Sequence, residues 1–231
     1  MIIDNHSSDS TIDIATALGA KVIRHIGTQA SARNRGIEES SGRYILFADS
    51  DQVLDGGVVE ECLSLCEKQG AEAVKIPEIF EGDGFWGASS ALWKNHVILA
   101  EGESGGIPRF YDRRIFDECG RFNGDLVLWE DYEFYQRIRA AGAAEAWCGA
   151  KIRHIEPKSL RQMIRKSYRY GRSVSRVRGS FAGGTLGQKV RVTFGTLASV
   201  LRSGRNPSVF GCMCLLLAKG LATALGMAAR S

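Results

Sequence analysis

A chain of 231 residues, 44% hydrophobic and 24% charged, is long enough for one globular core with an appendage and too apolar for intrinsic disorder. Its six cysteines show no paired CxxC spacing, which excludes a disulfide framework and reads as buried reduced thiols in a cytosolic compartment. The net charge of +4 hides a split: residues 1–150 carry 14 Lys and Arg against 25 Asp and Glu, whereas 151–231 carry 16 against one acid, Glu156.

In chain order, β-forming runs alternate with helical ones, the pattern of an α/β layered domain. MII ends a first strand, and the turn DNHSSDST caps a helix through IDIATALG that stops at Gly19. KVIRHI predicts a second strand, SARNRGIEESSG a helix closed by Gly42, RYILFA a strand ending on the DSD turn, and GGVVEECLSLCEKQG a helix. EAVKIPEIF reads as one strand, SSALWKNHVILA as part of an amphipathic helix, and GGIPRFYDRRIF as a strand followed by a short helix. LWEDYEFYQRIRAAG predicts a helix with acids in its first turn and Arg139 before Gly142, charges that suit the helix dipole at both ends. AEAWCGAKIRHI reads as one strand leading to Pro157, the long basic helix SLRQMIRKSYRYGRSVSRVRG follows, and two further helices are expected after it.

The basic tail suits an anionic membrane surface or nucleic acid. MIIDNHSSDS has neither the basic nor the apolar region of a signal peptide. Residues 207–229 carry Lys219 as their only charge; the stretch is long enough to span a bilayer, but a lysine near its middle is costly there. Two readings stay open, a membrane-associated docking helix and a packed core helix.

Asp49 and Asp51, at a strand end in YILFADSDQ, crowd two carboxylates unless a cation or a sugar hydroxyl lies between them. Glu130 and Asp131 in LWEDYEFYQRI open a helix, whose dipole helps keep them ionised. With IIDNHSSDST and ASARNRGI, in this order and spacing, these segments resemble the inverting family 2 glycosyltransferases over residues 1 to about 155. The resemblance implies an α/β fold of GT-A type: a mixed, mostly parallel, Rossmann-like sheet flanked by helices. A nucleotide-sugar-binding catalytic domain over 1–156 is expected, with a basic and apolar helical extension over 157–231.

The same resemblance implies roles for individual residues. Asp4 would accept a hydrogen bond from the nucleotide base; its plain structural role is an Asx turn or helix cap. Arg33 would face the nucleotide, and otherwise forms an ion pair. Asp49 would accept from the ribose hydroxyls, while Asp51 would ligate Mg2+ or Mn2+ on the donor diphosphate, with His154 a further metal- or diphosphate-facing candidate. Asp131 would be the base that takes the acceptor hydroxyl proton, and Glu130 its partner. Trp129 could stack on a sugar face, and Arg109 lies where such enzymes meet the acceptor. Interior tryptophan, core histidine and edge-strand arginine are the respective alternatives.

Relatives begin with another apolar strand, ending in a Pro-Thr-Tyr-Asn-like turn about thirty residues before the equivalent of Asp4, and a sheet lacking it would have unpaired backbone groups. Met1 is therefore expected to be either an internal methionine of a longer active chain or the start of a truncated one, and the 231-residue form is expected to bind nucleotide poorly. The leading expectation is metal-dependent, inverting sugar transfer from a nucleotide donor to a hydroxyl, on a lipid-linked or surface-polysaccharide acceptor, at the cytosolic face of a membrane. The alternatives are an impaired truncated homologue, a scaffold binding membrane or nucleic acid through the basic tail, and a nucleotidyltransferase. The last is disfavoured because no Gly-rich, basic phosphate loop follows the first strand. Nucleic acid is the less favoured partner, since helical spacing explains Tyr168 and Tyr170 without base stacking.

Overall fold

A computed structural model describes residues 1–101, 106–177, 195–202 and 207–229. Its elements are β1 (Ile2–Asp4), α1 (Thr11–Ala17), β2 (Val22–Arg24), α2 (Gln29–Glu39), β3 (Tyr44–Leu46), β4 (Gln52–Leu54), α3 (Val58–Gln69), β5 (Ala73–Lys75) and β6 (Glu78–Glu81). There follow α4 (Gly84–Glu101), β7 (Phe110–Asp112), α5 (Arg114–Glu118), α6 (Glu130–Ala140), β8 (Glu145–Trp147), β9 (Ile152–Ile155), α7 (Leu160–Val177), α8 (195–202) and α9 (Pro207–Ala228). The contacts divide the chain into two units, one of residues 1–48, 59–75 and 107–148, the other of 49–58, 76–106 and 149–231. The boundary expected after residue 156 falls inside the second.

In the first unit, β1 and β2 pair in parallel, and a four-stranded sheet runs in the order β3-β7-β5-β8. The chain enters α2 through Thr28, whose hydroxyl accepts from the Ser31 amide at 3.1 Å. It leaves α1 through Gly19, whose φ of 76° a side chain resists. The core is aromatic: Phe116 and Phe134 stack at 5.1 Å, and Phe47, Tyr111 and Phe122 close around them edge-on or tilted. Burying such a ring makes its truncation to alanine cost about 3–5 kcal/mol.

The second unit holds a three-stranded sheet, β4-β9-β6, and the helices α4, α7 and α9, with α9 packed on both others. Glycines permit that approach: a Cβ at Gly171 would lie 2.1 Å from the Thr223 carbonyl oxygen, and one at Gly226 2.2 Å from that of Tyr168. Glu156, the one acid of the C-terminal third, is buried here, accepting from Ser90 Oγ at 2.6 Å and from Lys94 Nζ.

The structure corrects four expectations. EAVKIPEIF is two strands, β5 and β6, in different sheets, because Pro77 between them has no amide to donate to a ladder. AEAWCGAKIRHI likewise divides into β8 and β9 across Gly149. The residues after the DSD turn form β4, antiparallel to β9, before α3 begins. The fold is α/β, with mixed sheets flanked by helices; the strand pairs among the described residues are three parallel and three antiparallel, so the sheet is mixed and not mostly parallel. All six cysteines are free; burial raises the Cys66 and Cys212 thiols to about 11.

Candidate functional site

Five of the sequence-predicted residues come together in two clusters, Arg33, Glu130 and Asp131 in the first unit and Asp51 and His154 in the second; the others are Asp4, Asp49, Trp129 and Arg109. In the first unit, α2 presents Arg33 and the N-terminus of α6 presents Glu130 and Asp131. Arg33 Nη1 lies 2.8 Å from Glu130 Oε1 and 3.8 Å from Asp131 Oδ2, and its guanidinium sits over the rings of Phe47 and Phe122. The two carboxylates differ sharply in exposure. The Glu130 side chain is 5% exposed and spends its charge on Arg33, while that of Asp131 is 36% exposed. Asp131 Oδ1 accepts from the Tyr132 amide at 2.8 Å, which fixes the carboxylate at the helix start without burying it.

Trp129, just before α6, takes the left-handed conformation (φ 63°, ψ 22°), which bulky residues avoid. Its indole is half-exposed. Asp4 is buried at the end of β1, and its two carboxylate oxygens accept from the Ser7 amide at 3.3 and 3.2 Å. Hydrogen bonding to Ser7, first from its side chain and then from its amide, outweighs burial and holds Asp4 below the usual carboxylate range. The Arg109 backbone joins the sheet, donating to Val74 O and accepting from the Phe47 amide, and its side chain is half-buried.

In the second unit the centre is His154. Strand β9 lies between β4 and β6, with His154 opposite Gln52 on one side and Phe80 on the other. Its Nε2 is 3.1 Å from Asp51 Oδ2 and its Nδ1 is 3.1 Å from Glu78 Oε2, while the ring stacks on Phe80 at 4.8 Å. Burial alone would push the imidazole down; the hydrogen bonds and charges of Asp51 and Glu78 outweigh it and raise it to about 9. Asp51 is correspondingly lowered, chiefly by its hydrogen bond to His154. Asp49 anchors the turn: its amide donates to Gln52 Oε1 at 2.9 Å and its carbonyl accepts from the Gln52 amide at 3.1 Å.

Glu78 is the residue sequence reasoning missed. It stands 76 residues before its histidine, on a strand hidden within EAVKIPEIF. Among the described residues no three His, Cys, Asp or Glu side chains converge as a ready-made metal cluster. The donor chemistry nevertheless fits a divalent cation: Glu78 fixes the Nδ1–H of His154, as outer-shell carboxylates do, leaving Nε2 directed at the Asp51 carboxylate. A cation held there by Nε2 and Asp51 would replace the proton that the two now share.

No curated protein matches the chain. Among solved structures it is similar to the mannosyltransferase PcManGT from Pyrobaculum calidifontis, in complex with GDP-Man and Mn2+, at 14% identity and a TM-score of 0.55, covering 96% of this chain and 70% of that one. It is also similar to S. aureus TarS 1-349 in complex with UDP-GlcNAc, at 11% identity and a TM-score of 0.51, covering 95% of this chain and 81% of that one. At such identities these likenesses show the fold. The family model described as Glycosyl transferase family 2 matches residues 1–124, more than half of the sequence, and on that match the chain belongs to glycosyl transferase family 2.

Proposed function

We propose that the chain transfers a sugar from a nucleoside-diphosphate donor to a hydroxyl acceptor with inversion, using Mg2+ or Mn2+. The observation that carries this reading is the asymmetry at the head of α6: Arg33 neutralises buried Glu130 and leaves Asp131 as the exposed carboxylate. Inversion needs a base on the acceptor side. Asp131 takes the acceptor hydroxyl proton as the new glycosidic bond forms and the diphosphate leaves, and the proton stays on its carboxylate. Glu130 and Arg33 hold the helix start in place. Asp51 and His154 are the ligands assigned to the divalent ion, which neutralises diphosphate charge when bound. Asp4 and Asp49 are assigned to base and ribose, Trp129 to a sugar face and Arg109 to the acceptor.

The donors of the two similar structures, GDP-Man and UDP-GlcNAc, support a nucleotide-sugar here. On this reading residues 1–156 form the catalytic part, and 157–231 bring it to a lipid-linked or surface-polysaccharide acceptor at the cytosolic face of a membrane. The test is titration of UDP and GDP with Mn2+ into this chain and into a form extended upstream by one strand, each with Asp51→Ala, followed by product analysis with Asp131→Asn. Binding in either form that Asp51→Ala removes, release of nucleoside diphosphate, and a turnover loss of about 10²–10⁴-fold in Asp131→Asn are expected. Pyrophosphate release would instead mark a nucleotidyltransferase, and failure of both forms to bind would leave a scaffold.

A further inference from the structure

Helix α9 has two faces. Gly211, Cys212, Leu215, Ala222 and Gly226 are buried against its neighbours, yet only 28% of its most apolar stretch is buried in all. Phe210, Leu217, Leu221 and Leu225 are between 55% and 75% exposed and recur at intervals of 7, 4 and 4, which aligns them as a stripe along one side of the helix. Lys219, the single charge of α9, is not part of that stripe: burial pushes its ammonium down, and Glu156, itself buried, acts on it in the opposite sense. The exposed stripe is therefore free of charge.

Helix α7 supplies charge beside it. Arg161, Arg165, Arg169 and Arg172 are exposed and recur at intervals of 4, 4 and 3, a row along one side of α7. A groove of about 620 Å3 lies between the helices, lined by Ile164, Arg165, Tyr168 and Arg169 from α7 and by Ala222 and Leu225 from α9. Arg165 and Arg169 of the arginine row and Leu225 of the apolar stripe thus border the same groove.

We infer that the α7–α9 pair is a docking face for an anionic lipid bilayer, with the α9 stripe among the acyl chains and lipid phosphates on Arg165 and Arg169. Charge and apolarity side by side suit an interface in which aliphatic side chains enter the acyl boundary while guanidinium groups stay at the headgroups. A second copy of the chain joined through the same stripe would bring two rows of arginines together. RNA would satisfy the arginines but has no use for four exposed aliphatic and aromatic side chains in a line. A full span across the membrane is disfavoured because one whole face of α9 is committed to α4 and α7.

This inference deepens the acceptor side of the function proposed above and rests on it only for its biological purpose. Its test reads vesicle binding and not sugar transfer, so either can fail alone. The full chain is floated with vesicles of phosphatidylcholine alone and with added phosphatidylglycerol, beside Arg165→Gln/Arg169→Gln and Leu217→Ser/Leu221→Ser, whose folding is checked by circular dichroism and thermal melting. The changed side chains are exposed, so both variants are expected to fold. Binding to the anionic vesicles is expected, with about a 25-fold loss in the arginine variant, at about fivefold per charge, and loss of binding in the leucine variant. Inorganic phosphate should not compete. Equal binding to neutral vesicles, unchanged binding by either folded variant, displacement by free phosphate, or binding to RNA without binding to vesicles would each overturn the proposal.

Discussion

The two acidic clusters solve one electrostatic problem with different cations. In the first unit Glu130 and Asp131 share the guanidinium of Arg33, which stays charged at every pH the protein meets. In the second, Asp51 and Glu78 share the imidazole of His154, whose charge is a removable proton. A permanent cation makes a fixed scaffold and allows one carboxylate to be buried. A titratable one is, on the proposed function, where the metal ion would take the place of the proton, and neither carboxylate around it is fully buried.

The comparison breaks most visibly at Arg33. Arg33→Met removes the partner of buried Glu130 and should destabilise the protein by about 3–5 kcal/mol in denaturant titration, with Arg33→Met/Glu130→Met recovering most of the loss. A loss below about 1 kcal/mol in the single variant would show the pair to be solvated like a surface bridge.

The second cluster should respond through its ligand affinity. Glu78→Gln keeps the size of the side chain but removes the charge that orients His154, and Mn2+ affinity should fall about 10–100-fold in calorimetric titration. Unchanged affinity would remove Glu78 from the site.

The second cluster also sets a pH dependence. His154 is raised in the folded protein from 6.5 to about 9, so its contribution to stability is complete below pH 6.5 and is lost as pH rises through about 9. Metal-free protein should therefore lose stability across that window, and His154→Gln should flatten the profile, as read from denaturation midpoints between pH 6 and 10. The first cluster predicts no matching step.

What the sequence disclosed follows the same division. Asp49, Asp51, Glu130 and Asp131 were legible because each pair is local, fixed by a strand end or a helix start. The difference between Glu130 and Asp131 was not, since it depends on Arg33, brought in from far along the chain and held over the rings of Phe47 and Phe122. Glu78 was hidden for a related reason: an apolar run interrupted by one proline reads as a single strand, although the missing amide sends its halves to different sheets. Two readings of residues 207–229 stood open because periodicity says which residues share a face, but only packing says which face is covered. The structure packs one side of α9 and leaves the other exposed.

Trp129 carries an optical consequence. An indole held half in water by a left-handed backbone, in the residue before Glu130 and Asp131, emits at a wavelength set by how wet that place is. Covering it with any ring would shift the emission to the blue, and with Trp129→Phe as the blank, the other three tryptophans can be subtracted. The same strained residue thus makes the head of α6 readable in a cuvette without a label.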